Sequence, residues 1–167
     1  MTDATHSQAT QQGGIVGLIG LANRILASIP QSLSMLVLRF ALAVPFFKSG
    51  LTKWDGFPQL SAGAKYTFQE EFKLNILGGQ YGFPMPNTMA FLAGSAEIIL
   101  PILLVIGLGT RFAAFGLLIM TGVIQLVYPE AWSTFHLPWA AMALAIVVMG
   151  AGKISVSYTH LRAHETR

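Results

Sequence analysis

The chain has 167 residues, a length typical of one domain, and it combines 53% hydrophobic with only 10% charged residues. Soluble domains carry about 25% charged residues, so this composition, with a mean hydropathy of +0.59, indicates an integral membrane protein. The net charge of +3 comes from scattered basic residues, which argues against nucleic acid as a partner, and the absence of cysteine excludes dithiol redox chemistry and thiolate metal sites.

The N-terminal region divides into a polar and an apolar part. Residues 1–13 are rich in Gln and Thr and predict a disordered cytoplasmic tail. Residues 14–29 are apolar but too short to span a bilayer, and Asn23, Arg24 and Ser28 fall near one side of a helical projection. This pattern predicts an N-terminal amphipathic helix that lies in the membrane interface.

Residues 32–51 form the first predicted transmembrane helix. Arg39 lies about a third of the way along it, Pro45 predicts a kink, and Lys48 lies near the far end. Lys48 is a candidate ligand-binding residue, but the favoured interpretation is that its ammonium group reaches out to the lipid headgroups.

The connection after the first span is long and mixed in character. Lys53 and Asp55 are interpreted as part of a solvated turn. In residues 64–77, aromatic and aliphatic side chains are interspersed with charged ones, which predicts an amphipathic helix in the first loop, lying on the membrane or capping the bundle. Gly78 and Gly79 would end this helix.

Two further spans are predicted within residues 88–128. The apolar runs on either side of residues 107–111 each approach the roughly 20 residues that cross a bilayer, and the short break between them requires an antiparallel hairpin. Residues 129–132 form a short loop, and a fourth span begins at His136 and ends near Gly150 or Gly152. The fold class is therefore an all-α, four-helix transmembrane bundle with both termini on one side. We expect both termini of this multi-pass protein to lie on the cytoplasmic side of the membrane.

The acid in the middle of the second span requires a partner. A charge at the depth of Glu97 costs at least ~2.5–3.5 kcal/mol, so it should face protein. If the first two spans are centred at similar depths, Arg39 and Glu97 lie within ~5 Å along the membrane normal, and we predict that they pair. The pair could be purely structural, could border a pocket for a quinone-like or other small polar ligand, or could belong to an interface with another subunit.

Three more residues are candidates for the same ligand site. His136, beside two tryptophans at a span entrance, is interpreted as a hydrogen-bonded interfacial residue, with a proton relay or haem ligation as the alternative. Gln125 and Tyr128 could join Arg39 and Glu97, but hydrogen bonds between helices are favoured. No set of His, Asp and Glu residues has metal-ligand spacing, so we expect no metal, and the residues by themselves establish no cofactor.

The last residues have a different character from the rest. Residues 156–166 can be back-translated into a sequence that resembles a transposon-type sequencing adapter. We therefore interpret residues 155–167 as a sequencing-adapter artefact and exclude His160 and His164 from any metal site.

The order and spacing of several short motifs resemble the DoxX family of small bacterial four-helix membrane proteins, over residues 35–153. The motifs are Leu38-Arg39 with Lys48-x-Gly50-x-x-Lys53, Gly82-Phe83-Pro84, Gly94-x-x-Glu97, Gly107-Leu108-Gly109-Thr110-Arg111 and Gly150-x-Gly152-Lys153. The resemblance implies that residues 14–154 are one DoxX-like four-helix transmembrane domain.

The resemblance also implies candidate functions. Some DoxX-like proteins resemble membrane subunits of quinone-linked oxidoreductases, and others belong to oxidative-stress complexes, so quinone is the implied cofactor. The implied partners are the lipid bilayer and either a redox subunit or another copy of the chain. The alternative is a non-catalytic membrane module that binds or passes a small molecule or scaffolds other proteins. A redox subunit should have a quinone-sized cavity that touches Arg39 and Glu97, whereas a scaffold should have a dry core.

Overall fold

The structure, a computed structural model, describes residues 3–152, with side chains from residue 14 onward. Four segments are long and apolar enough to cross a membrane, which confirms the predicted four-span fold. The helices are α1 Asp3–Ala27, α2 Gln31–Leu51, α3 Ala62–Tyr66, α4 Pro86–Ile106, α5 Thr110–Val127 and α6 Leu137–Met149. Lys153 and the residues interpreted as an adapter artefact, 155–167, lie outside this description.

The four spans pack as a ring in which α2 contacts α4 and α6, and α5 contacts the same two helices. One stripe of α2 faces the centre of this ring, where Met35, Leu42 and Phe46 are almost completely buried. Their spacing of three or four residues is the helical period, so the inward face follows from the sequence pattern. The core continues with small and aliphatic side chains from the other spans, among them Leu104, Ala114, Leu117, Ala143 and Ile146.

Helix α1 differs in extent from the prediction and lies apart from this core. It begins at Asp3, within residues 1–13, for which the sequence predicts a disordered tail. No proline precedes Pro30, so one helix can include both the polar residues and the apolar segment that follows them. Every described side chain of α1 is exposed to its surroundings, and the interfacial position predicted for this helix remains a prediction.

The loop helix predicted over residues 64–77 is only partly correct. Helix α3 begins after Ser61, whose Oγ accepts a hydrogen bond from the backbone N–H of Ala64 at 3.1 Å, and a π-helical turn, Thr67–Glu71, continues it. The chain then forms a β-hairpin from strands β1, Lys73–Ile76, and β2, Gly79–Gly82.

The hairpin replaces the second half of the predicted helix because of its turn. Leu77 and Gly78 have φ angles of 51° and 82°, which no right-handed helix can accommodate. Two consecutive residues with positive φ are characteristic of the type I′ turn, whose twist matches that of the strands on either side. Gly78 therefore marks a strand connection here rather than a helix end.

Helix α2 ends level with the middle of α4, which determines the shape of the bundle. A Cβ placed on Gly50 would lie 3.0 Å from the backbone carbon of Glu97, so the last turn of α2 faces Glu97. Because α4 begins at Pro86, about 11 residues or ~16 Å of α4 extend beyond the end of α2. The α3 segment and the chain around Lys53 and Trp54 lie beside this part of α4.

The remaining connections are short, as predicted for the hairpin of α4 and α5. Gly107 and Gly109 both have positive φ, and together with Leu108 they connect the two helices. The fourth span begins earlier than predicted, at Pro129, with a 3-10 turn, Pro129–Ala131, and a π-helical turn, Trp132–His136, before α6.

Leu77 provides a test of the hairpin turn. Its side chain is fully exposed, so replacing it removes no packing, whereas its positive φ is unfavourable for a branched side chain. We expect Leu77→Asn, which creates the Asn-Gly pair that type I′ turns prefer, to raise the free energy of unfolding by about 0.5–1 kcal/mol. Thermal unfolding in detergent measures this, and a lower melting temperature for Leu77→Asn would contradict the assigned turn.

Candidate functional site

Lys53 and Glu97 form a buried ion pair at the level where α2 ends. Lys53 Nζ lies 2.5 Å from Glu97 Oε2, and the side chains are only 11% and 6% exposed. Lys53 Nζ also donates to Ser49 Oγ at 3.1 Å. The interpretation of Lys53 as part of a solvated turn was therefore wrong: α2 ends just before it, so its side chain lies beside α4 and supplies the countercharge that Glu97 needs inside the bundle.

Gly50 and Gly94 leave the space that the Lys53–Glu97 pair needs, because each glycine faces one member of the pair. A Cβ on Gly50 would lie 3.0 Å from the backbone and side chain of Glu97, and a Cβ on Gly94 would lie 3.2 Å from the side chain of Lys53. Each charged residue thus packs against the glycine that precedes its partner by three positions. The two motifs, Gly50-x-x-Lys53 and Gly94-x-x-Glu97, have identical spacing, and this was the sequence signal that could have identified Lys53 as the partner.

Arg39 does not pair with Glu97, so the predicted ion pair was wrong. Arg39 is 2% exposed, and its guanidinium donates from Nη1 to the carbonyl of Ala151 and from Nη2 to the carbonyl of Val105, both at 2.8 Å. The prediction assumed that α2 and α4 are centred at the same depth. Because Gly50 rather than the middle of α2 faces Glu97, Arg39 is displaced by about 11 residues, or ~16 Å, toward the other end of the bundle.

His136 is buried at the start of the last span and is oriented by Gln125. Its Nδ1 lies 2.6 Å from Gln125 Oε1, and Gln125 Nε2 donates to the carbonyl of Pro129 at 3.1 Å. Because a carbonyl can only accept, the amide nitrogen of Gln125 faces Pro129, and its oxygen accepts the hydrogen of His136 Nδ1. Nε2 is then the ring nitrogen of His136 that can take up a proton. As expected, Gln125 forms a hydrogen bond between elements.

A cavity of about 600 Å³ lies between the spans and extends from the last two turns of α2 into the part of the bundle beyond its end. We call it the central cavity. Its walls are mostly aliphatic and aromatic and include Phe46, Phe68 and Leu100. Six polar or charged residues also line it: Ser49, Lys53, Glu97, Tyr128, Glu130 and His136. The cavity therefore has the character of a ligand site, apolar with a few convergent polar groups.

Tyr128 lies at the end of α5, beside the central cavity. Its ring contacts that of Phe72 edge-on, with centroids 5.6 Å apart. Burial, followed by the carboxylates of Glu71 and Glu130, raises the pKa of the Tyr128 phenol, so at neutral pH it is a neutral hydroxyl that can donate a hydrogen bond.

The six residues predicted for the site are thus divided among three places. Glu97, Tyr128 and His136 line the central cavity, and Gln125 orients His136. Arg39 lies outside the cavity lining, near the opposite end of the bundle. Lys48 is exposed on α2 and does not line the cavity, and the contact of its ammonium group with lipid headgroups stays a prediction. Among the described side chains, those of residues 14–152, no three from His, Asp or Glu are placed to hold a metal ion.

Comparison with known proteins agrees with this architecture. Residues 34–129, more than half of the chain, match the sequence pattern of the DoxX family. This chain belongs to the DoxX family. The DoxX match begins within α2 and ends just after α5, so it includes Lys53, Glu97 and both glycines that face them.

A relative from Haemophilus influenzae carries the name uncharacterized protein. It is 29% identical over 154 residues, which cover 83% of this chain and 91% of the relative. No solved structure matches the chain. The comparisons therefore identify a DoxX-family membrane protein. The role of the central cavity has to be inferred from the residues that line it.

The ion pair in this DoxX protein can be tested with a double-mutant cycle. Lys53→Met and Glu97→Met each leave one buried charge without its partner, and we expect each to lower the free energy of unfolding by about 3–5 kcal/mol. The double variant buries no charge and should be closer to wild type than either single variant. Unfolding in detergent micelles measures all three, and additive losses would show that the two side chains act independently.

The glycine at the end of α2 offers a second test. Gly50→Ala places a methyl group against the backbone of Glu97, so we expect it to separate α2 from α4 and to cost about 1–3 kcal/mol of stability. Gly122→Ala in α5 is the matched control, because nothing lies within 4 Å of a Cβ there, and it should leave stability unchanged or slightly raised. Equal effects of the two substitutions in thermal unfolding would contradict the close approach at Gly50.

Proposed function

We propose that this chain is the membrane-embedded, quinone-binding subunit of an oxidoreductase system and that the central cavity is its quinone site. The observation that supports this is an apolar cavity of about 600 Å³ whose polar lining includes the buried Lys53–Glu97 pair and His136. This cavity differs from the one expected from the sequence, because it borders Glu97 with Lys53 rather than with Arg39.

The residues present fit a quinone in both size and polarity. Ligand pockets are typically about 300–1,000 Å³ and mostly apolar, with a few polar groups that fix the ligand's orientation. Aromatic rings from Phe68 and Phe72 and aliphatic side chains from α4 and α5 suit a flat ring and its hydrocarbon chain. Donors and acceptors for the ring oxygens come from Lys53, Glu97 and His136.

Each polar group has a definite capacity for this chemistry. A bound quinone supplies the redox couple, which takes up two electrons with two protons. Lys53 Nζ has three donors, of which two are used at 2.5 and 3.1 Å, while the third faces only the carbonyl of Ser49 at 3.5 Å. A quinone oxygen can take that third donor. His136 Nε2 and the carboxylate of Glu97 can hold a proton at the same wall.

The electrons must enter or leave through another chain. The protein has no cysteine, so a thiol pair cannot carry them here. We assign the electron donor to a partner redox subunit in a bacterial inner membrane, in a quinone-linked or oxidative-stress-related system. Assembly of several copies is the other arrangement that we propose for partners. The start of α2 and the chain after α6 lie at one end of the bundle, since a Cβ on Gly152 would lie 3.4 Å from Ser32, and we propose that this end is cytoplasmic.

A second function is favoured by one observation. Lys53 and Glu97 already neutralise each other, so the pair could serve only to join α2 to α4. In that case, the protein would be a non-catalytic module that binds or passes a different small molecule, or scaffolds other membrane proteins.

Quinone binding separates these proposals. Trp139 lines the central cavity, and replacing the other two tryptophans (Trp54→Phe, Trp132→Phe) leaves it as the single tryptophan. We expect decylubiquinone, a short-chain quinone, to quench Trp139 saturably in lipid nanodiscs. Glu97→Gln and His136→Phe should each weaken binding about tenfold, the equivalent of one hydrogen bond at ~1.4 kcal/mol.

Lys48→Gln is the control for this titration, since Lys48 is exposed and outside the cavity lining, and it should bind as the parent protein does. Quenching that rises linearly with quinone concentration, without saturation, would contradict a quinone site and favour the non-catalytic module. A repeat with a menaquinone analogue identifies the ring that the cavity prefers.

A further inference from the structure

The central cavity reaches the outer surface of the bundle between α4 and α5. Leu92 of α4 and Ile119 of α5 both line the cavity, yet they are 54% and 55% exposed, so the cavity surface continues onto the outer surface of the bundle there. Ala96 lies between the cavity and this outer surface on α4. Both helices are membrane spans, so the opening faces the hydrocarbon region of the bilayer.

The opening lies toward the end of the bundle where α4 begins. At its edge nearer the hairpin between α4 and α5, a Cβ on Gly116 would lie 2.8 Å from Leu100, so the two helices are in close contact at that level. Between this contact and the start of α4, the small residues Ala93 and Ala96 line the cavity. A slit between the two helices therefore ends at Gly116 and Leu100.

Other parts of the cavity wall are in close contact. Toward α2, the close approach at Gly50 and Gly94 leaves no gap beside Glu97. At the end of the bundle, Phe68 and Phe83 contact each other with centroids 5.5 Å apart. Tyr128, Glu130 and Phe135 also line the cavity and are exposed at that end, so polar groups border it there, whereas the opening between α4 and α5 is bordered by apolar side chains.

We propose that the slit between α4 and α5 is a lateral port through which a bilayer-dissolved quinone enters the central cavity, with its hydrocarbon chain lying between the helices. This inference rests on the proposed function. The apolar, half-exposed side chains Leu92 and Ile119 match a hydrocarbon chain, and the charged wall at Lys53 and Glu97 lies at the inner end, where the quinone ring would stop. The ligand class is thus an amphiphile with a polar ring and an extended apolar chain.

Filling the slit tests the port. In the background with Trp139 as the single tryptophan, Ala96→Phe places a ring in the slit, and we expect it to slow the association of decylubiquinone at least tenfold in stopped-flow quenching. Ala141→Phe is the matched control, because Ala141 is exposed on α6 and outside the cavity lining, and it should associate at the parent rate. An unchanged association rate in Ala96→Phe would overturn the port while leaving the quinone site intact.

A second measurement does not depend on quinone. In bilayers with brominated acyl chains, an open slit lets chains approach Trp139, so we expect its fluorescence to be quenched and Ala96→Phe to remove at least half of the quenching. If quenching is equal in Ala96→Phe, Ala141→Phe and the parent, the port is overturned. If the slit passes acyl chains but quinone never saturates, the port stands and the proposed function fails.

Ala96→Cys is a control for the possibility that Ala96→Phe fails to fold. The chain has no other cysteine, so the thiol can be alkylated with N-ethylmaleimide after the protein has been folded and purified in detergent. Alkylated protein should show the slow association, whereas the same sample before alkylation should match the parent. Equal rates before and after alkylation would overturn the port.

Discussion

The buried ion pair between Lys53 and Glu97 is the interaction on which the arrangement of the bundle depends. A carboxylate in the middle of a span is acceptable only when protein groups compensate its charge, and here one ammonium does so at 2.5 Å. Burying both charges is costly, and removing either partner alone would leave the full penalty of the other. The pair therefore fixes the height at which the end of α2 meets α4.

That height has a direct consequence for the interior. Because Lys53 follows the last turn of α2, the pair can form only if α2 ends level with Glu97, and one half of the bundle then has three spans instead of four. Loop segments and the rings of Phe68 and Phe72 cover this half without filling it. The central cavity thus results from the same constraint that neutralises Glu97, and the charged pair lies on its wall for that reason.

Much of the fold could be predicted from the sequence because it depends on local signals. Apolar runs of span length, and the glycines between α4 and α5, correctly predict four membrane helices. The site could be predicted only in part. Glu97 stands out as a charge in an apolar run, but its partner depends on how far α2 is shifted along α4, and hydropathy carries no information on that shift. The hairpin after α3 was missed because the positive φ at Leu77 has no signature in that residue type.

Arg39 in α2 and Lys53 just after it are both buried cations. Their different contacts show why the position of α2 along α4 matters for ligand binding. Arg39 offers a planar fork of several donors, and two carbonyls, that of Val105 in the last turn of α4 and that of Ala151 just after α6, accept from its two terminal nitrogens at 2.8 Å. The end of α4 carries partial negative charge, so the guanidinium is stabilised without a carboxylate. Lys53 offers a single nitrogen on a flexible chain, which neutralises Glu97 and retains one weakly used donor toward Ser49. Because the fork contacts two backbone carbonyls while the lysine lies at the wall of the central cavity, only the lysine of these two cations is placed to exchange a protein contact for a ligand.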